Sequence, residues 1–247
     1  IVSDLETRKV IGVSMGRSKK SLDEFFKILG KEAAAKIEVV ATYQHEPYGA
    51  SVREHAPQAT VVWDKFHVLQ NFANVVNETR LDLHLKTPPN LKARELSRSR
   101  NKYIFLKKSS RRTGSESRLI EDVMKDNEAF CRLEIIKERM LSLFDEPTAE
   151  RALFVWTEIG SWIKQSNFIH LSRWHETMSK KWDQLAAYFK YRVTTSLSEG
   201  INNVIKAIKR RAFGYRNMNY FRLKIMQVMG YLNSRHIPTS DQLVTQI

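Results

Sequence analysis

The spacing of apolar residues changes character along this chain, and that change limits what it can fold into. Up to residue 63, short runs rich in β-formers alternate with helical patterns. Ile1-Val2-Ser3 and Val10-Ile11-Gly12-Val13 flank a polar turn and predict a hairpin. Ser21 is expected to cap a helix with Leu22, Phe25, Phe26 and Leu29 on one face, closed by Gly30. Residues 37–41 read as a buried strand, 48–55 as a short helix ended by Ala56-Pro57, and 60–63 as another strand that leads into a helix reaching about residue 85. From about 116 to 189 the period is three to four throughout, as in Phe130, Leu133, Ile136 and Met140, and the helical reading resumes over 199–232. Strand and helix therefore alternate early and helices follow alone, which is an α/β pattern with a mixed sheet.

Three segments result. Residues 1–85 form the first part of the core, 86–190 a basic linker and helical insertion, and 191–247 the remainder of the core with basic helices. Hydrophobic residues make up 42% of the 247, enough for a core. No apolar run approaches the roughly 20 residues that span a bilayer, so no membrane partner is expected, and no basic-then-apolar leader opens the chain. The single Cys131 excludes internal disulfides and multi-cysteine zinc sites, which fits a reducing, cytoplasmic setting. The chain opens on Ile1 rather than Met and already as a strand, so it is expected to be part of a longer protein.

A net charge of +14 calls for a polyanionic partner. Residues 86–112 hold ten Lys or Arg against one acid, Glu95, and residues 200–240 hold no Asp or Glu. Glu199 stands at the head of a helix that continues through Lys206, Lys209, Arg210 and Arg211 towards Arg216. An acid at this position is favoured by the helix dipole alone, and the bases alone could be a solvated face. Interleaving with Phe213, Tyr215 and Tyr220 instead favours contact with a phosphate backbone. Asp64 ends a strand, where it can cap the following helix. Trp156, Trp162, Trp174 and Trp182 fit the core of the helical stretch, and Cys131 fits a small buried hydrophobe.

Several separated blocks share a further likeness. They are Asp4-Leu5-Glu6-Thr7 with Gly16-Arg17-Ser18; Glu46-Pro47-Tyr48 with Val52-Arg53-Glu54-His55-Ala56-Pro57; Trp63-Asp64-Lys65-Phe66-His67-Val68; Glu199-Gly200-Ile201-Asn202-Asn203; and Lys209-Arg210-Arg211-Ala212-Phe213-Gly214-Tyr215-Arg216-Asn217. In this order and spacing the chain resembles the DDE transposases of bacterial insertion sequences of the ISL-three type. The resemblance implies an RNase H-like fold interrupted by a helical insertion, with the chain starting after the first strand. It also implies double-stranded DNA (transposon ends and target) as partner, possible action as a homodimer in a DNA complex, and a nucleoid-associated protein. Acids binding two Mg²⁺ (or Mn²⁺) ions would cleave DNA and transfer strands.

By that resemblance Glu199 and Asp64 are catalytic metal ligands, His67 and Asn202 support them, and Lys206, Lys209, Arg210, Arg211 and Arg216 hold DNA. Two departures stand out. The first acid of the set is expected upstream of Ile1. Where an aspartate is expected after the residue 37–41 strand, this chain has Tyr43, and a phenol titrating near ~10 is a poor magnesium ligand. Glu46 and Asp4 are the nearest substitutes, although turn chemistry accounts for Asp4. The resulting expectation is a transposase catalytic portion that is truncated or impaired. The alternatives are a DNA-binding remnant without catalysis and a hydrolytic nuclease.

Overall fold

Val2, Val10, Val39, Val40, Ala41 and Val62 are all buried, and their β-branched or small side chains pack on a pleated surface to build the sheet. The computed structural model describes residues 1–87, 101–232 and 245–246. They divide into two compact units: Ile1–Asp64 with Tyr191–Ile247, and Lys65–Lys190.

The first unit contains a five-stranded sheet of order β2-β1-β5-β3-β4. Strands β1 (Val2–Asp4) and β2 (Val10–Gly12) are the antiparallel hairpin; β3 (Val39–Thr42) and β4 (Thr60–Trp63) are parallel. Strand β5 (Thr245–Gln246) was not anticipated. It runs antiparallel to β1 and parallel to β3, so the sheet is mixed. In the hairpin turn Asp4 accepts from the Glu6 amide at 2.9 Å and the Thr7 hydroxyl at 2.5 Å, which is turn chemistry and occupies both of its oxygens.

Helix α1 (Lys19–Leu29) buries Leu22, Phe25 and Phe26. Its cap is Ser18 rather than Ser21; Ser18 accepts from the Ser21 amide, and Ser21 turns its hydroxyl to the Met15 carbonyl at 2.6 Å. A short α2 (Lys31–Ala35) follows Gly30. Helix α3 (Glu46–His55) packs on α1, and Val2, Ile37, Val40, Val52 and Ala56 join their core. Each large side chain buried there contributes about 1.5–3 kcal/mol. Gly12 permits this packing, because a Cβ there would lie 2.4 Å from the Phe25 ring. A second cluster joins Val10 to Ile201 and Ile225.

In the second unit, α4 (Lys65–Lys86) groups with the helices that follow: α5 (Lys102–Leu106), α6 (Gly114–Asp126), α7 (Glu128–Ser142), α8 (Ala149–Ser166), α9 (Ile169–Ser179) and α10 (Trp182–Tyr191). Thr113 and Glu116 form a reciprocal capping box at the start of α6. Trp156 and Trp174 are core residues, with ring centroids 5.6 Å apart. Cys131 is half-buried rather than buried.

This unit also holds an ion cluster that the sequence did not disclose. Lys137 is 1% exposed, and its Nζ donates to the carbonyls of Phe105 (2.8 Å) and Lys107 (3.1 Å). It also lies 2.8 Å from Glu134 and 2.9 Å from Glu138. The Glu134 contact has ion-pair distance without hydrogen-bond alignment, since that oxygen has no hydrogen-bond partner. Arg112 pairs with the other Glu134 oxygen at 2.6 Å.

The final helical segment is two helices, α11 (Ser196–Arg211) and α12 (Met218–Met229). The break lies at Phe213 and Gly214, both at positive φ. Among the described residues, no helix is long and apolar enough to cross a membrane.

Candidate functional site

Parallel pairing of β3 with β4 sets Thr42 opposite Trp63, so Tyr43 and Asp64 each lie one residue past paired strand ends. Neighbouring strands are ~4.8 Å apart, which makes the two positions adjacent. The Asp64 amide donates to the Thr42 carbonyl at 3.2 Å and fixes the backbone there.

Asp64 is 1% exposed and Thr195 is 0% exposed. The Thr195 hydroxyl donates to Asp64 Oδ2 at 2.6 Å, joining residues 131 positions apart. Thr195 occupies the cap position of α11, yet its side chain does not cap that helix. Its carbonyl accepts from the Glu199 amide at 3.1 Å, and Glu199 lies exposed in the first turn. Both carboxylates thus gather at a helix N-terminus, where the dipole favours negative charge.

Tyr43 completes the group. Burial pushes its phenol above the ordinary value, and the charges of Glu199 and Asp64 push the same way; Thr195 and Arg17 act in the opposite sense. The Thr195 hydroxyl donates to Asp64. Tyr43 and Thr195 also share a side-chain hydrogen bond, so the Thr195 hydroxyl lies between the phenol and the Asp64 carboxylate. Tyr43, Thr195 and Asp64 form a relay that presents one carboxylate and one neutral O–H, with Glu199 beside it.

The other expected participants lie in different places. Asn202 is exposed one turn beyond Glu199, whereas His67 is half-buried in the first turn of α4, in the other unit. Glu46 is exposed and paired with Arg53 at 2.5 Å. Two participants escaped the sequence reading. Thr195 could have been noticed as a hydroxyl residue just ahead of a helix, whereas Arg17 stood within the Gly16-Arg17-Ser18 block with no role of its own assigned.

At 100° per residue, Glu199, Asn202, Asn203, Lys206 and Arg210 form one stripe along α11, with Lys209 and Arg211 on either side. Lys206, Lys209, Arg210, Arg211 and Arg216 are all exposed, and among the described residues none forms an ion pair. Three of the described bases of the 86–112 segment behave differently. Lys107 pairs with Glu116, Lys108 with Asp145 and Arg112 with Glu134.

This set does not suit two magnesium ions. Among the described residues, no group of three His, Cys, Asp or Glu side chains is placed to hold a metal. Two carboxylates and a protonated phenol fall short of the oxygen anions that a hard dication needs.

The protein-family model described as "Transposase", of the ISL3 DDE type, matches residues 1–225. The chain is also similar to the transposase for insertion sequence element IS1001 of Bordetella parapertussis, with 27% identity over 226 residues, covering 91% of this chain and 55% of that protein. The chain thus spans about half the length of the curated relative it matches. No solved structure matches it. Given a family match over nine-tenths of its length, this chain is a member of the ISL3-type DDE transposases.

Proposed function

We propose that this chain is the DNA-engaging catalytic portion of an insertion-sequence transposase, with an RNase H-like core, whose own cleavage and strand-transfer activity is impaired. The observation that carries this reading is the convergence of Tyr43, Asp64 and Glu199 around Thr195, at the head of a helix whose exposed face is basic. The mixed sheet, with a helical unit between β4 and the acid-bearing helix, supports the fold assignment. In this arrangement the bases of α11 hold the phosphate backbone and place a phosphodiester near the two carboxylates. Divalent-metal chemistry would need a further carboxylate at position 43 or from beyond the described residues.

Two measurements test this. Binding to duplex DNA should fall steeply with salt, and changing Lys209, Arg210 and Arg211 to Ala should flatten the slope of log affinity against log salt by about 2–3. An unchanged slope would mean that the face is merely solvated. Calorimetric titration with Mg²⁺ should show Tyr43→Asp gaining a site that the native chain lacks and that adding Glu199→Ala removes. If Tyr43→Asp gains none, or if the native chain shows robust strand transfer, the roles given to these residues are wrong.

A further inference from the structure

The turn joining α11 to α12 contains a side chain that the fold does not use. The Gly214 amide donates to the Lys209 carbonyl at 3.0 Å, and the Phe213 amide to the Arg210 carbonyl at 3.1 Å. This pair of bonds is the Schellman arrangement, in which the residue at the Phe213 position takes a left-handed conformation and is usually glycine. Here it is a phenylalanine with φ of 50°, followed by Gly214 at 104°. A side chain at that position works against the backbone. Its ring recovers nothing by burial, because Phe213 is 102% exposed. The neighbouring aromatics behave otherwise: the Tyr215 ring stacks on Phe221 at 4.5 Å and meets Tyr220 at 6.0 Å.

The surroundings indicate what such a ring could meet. Arg210 and Arg211 precede it and Arg216 follows, all exposed. No acid occurs between residues 200 and 240. The ring also lies at the far end of the stripe that begins at Glu199, about 20 Å away at 1.5 Å per residue. A strained, fully exposed ring among unpaired cations suits a polyanion that carries flat π faces. We propose that Phe213 is a stacking wedge that takes up an unpaired nucleobase while the flanking arginines hold the adjoining phosphates.

The inference rests on the DNA reading above, and the test separates the two. The 247-residue protein is titrated by fluorescence anisotropy into a thymidine oligomer of about 16 nucleotides, and into an abasic oligomer with the same phosphates. The native protein should prefer the base-bearing strand by about 5- to 150-fold, the range expected of one base–aromatic stack. Phe213→Ala should bring the two affinities level while leaving the abasic one unchanged, and Phe213→Trp should restore the preference. Phe213→Gly, which suits the left-handed backbone, should behave like the alanine variant and exclude misfolding as the cause.

Equal binding of both oligomers by the native protein overturns the wedge but leaves the phosphate-binding face standing. Binding to neither overturns both readings. Equal losses on both oligomers in Phe213→Ala, or a change in self-association or in capture by anionic vesicles with the preference intact, would assign the ring to the fold, a protein contact or a lipid surface instead.

Discussion

Replacing Thr195 with Val would remove one hydroxyl from the candidate site while keeping a β-branched side chain of nearly the same shape. Two bonds would disappear: the 2.6 Å bond to Asp64 and the one shared with the Tyr43 phenol. A buried hydrogen bond to a charged group contributes about 1.5–3 kcal/mol and a neutral one about 1 kcal/mol, so the variant should lose about 2–4 kcal/mol. Asp64 has further interactions, so this is the loss of single bonds rather than isolation of a carboxylate. The loss should appear as local opening at two amides, Asp64 to Thr42 and Glu199 to Thr195. Hydrogen exchange followed by mass spectrometry should show both exchanging about 30- to 1000-fold faster. Thr195→Ser keeps the hydroxyl and should stay within about 1 kcal/mol of the native protein. Unchanged protection in the valine variant would refute the relay. Equal damage from serine would show that the methyl group, not the hydroxyl, holds the site.

Two predictions concern the helical unit. Lys137→Met should destabilise it by about 3–5 kcal/mol, because two carbonyls and two carboxylates lose one buried cation; tryptophan-monitored denaturation showing a loss below about 1 kcal/mol would mean that water replaces the ammonium. His175 stacks on Trp156 with centroids 4.3 Å apart, and burial holds its pKa below the ordinary value against the opposing bond to the Trp156 carbonyl. Its contribution should be complete above about pH 6.5 and decline as pH falls through the lower folded value, so melting temperature should drop between neutral and mildly acidic pH, and His175→Gln should remove that drop.

Four strands of the sheet were legible because β-branched runs bounded by polar turns have few alternatives, and the adjacency of Tyr43 and Asp64 follows once two strands end there in parallel. Strand β5 was not legible. Thr245 and Gln246 have no periodicity of their own and become a strand only by filling the position between β1 and β3. The break between α11 and α12 was signalled by Gly214, but the helical apolar spacing on both sides concealed it. Charge was the least reliable guide. The bases at 107, 108 and 112 resemble those of α11 in sequence, yet their partners Glu116, Asp145 and Glu134 lie 9 to 37 positions away, and one-dimensional charge counting cannot see such pairs.

The hydrogen bond between Thr195 and Asp64 has a consequence for how the first unit can assemble. Residues 1–64 and 191–232 share a core, but the whole of Lys65–Lys190 separates them in the chain. A ribosome delivers Asp64 long before Thr195, so the early strands must wait, with Asp64 and Tyr43 lacking their shared partner, until the helical stretch has emerged. That delay lengthens the search, since distant contacts form slowly. Its equilibrium cost is small, because closure entropy grows only with the logarithm of loop length. Thr195 bonds to Asp64, and Tyr191 meets Thr60 at 3.2 Å, so the excursion leaves and rejoins within one pinned neighbourhood. Evolution could therefore lengthen, trim or exchange the helices between them while the acids stay in register.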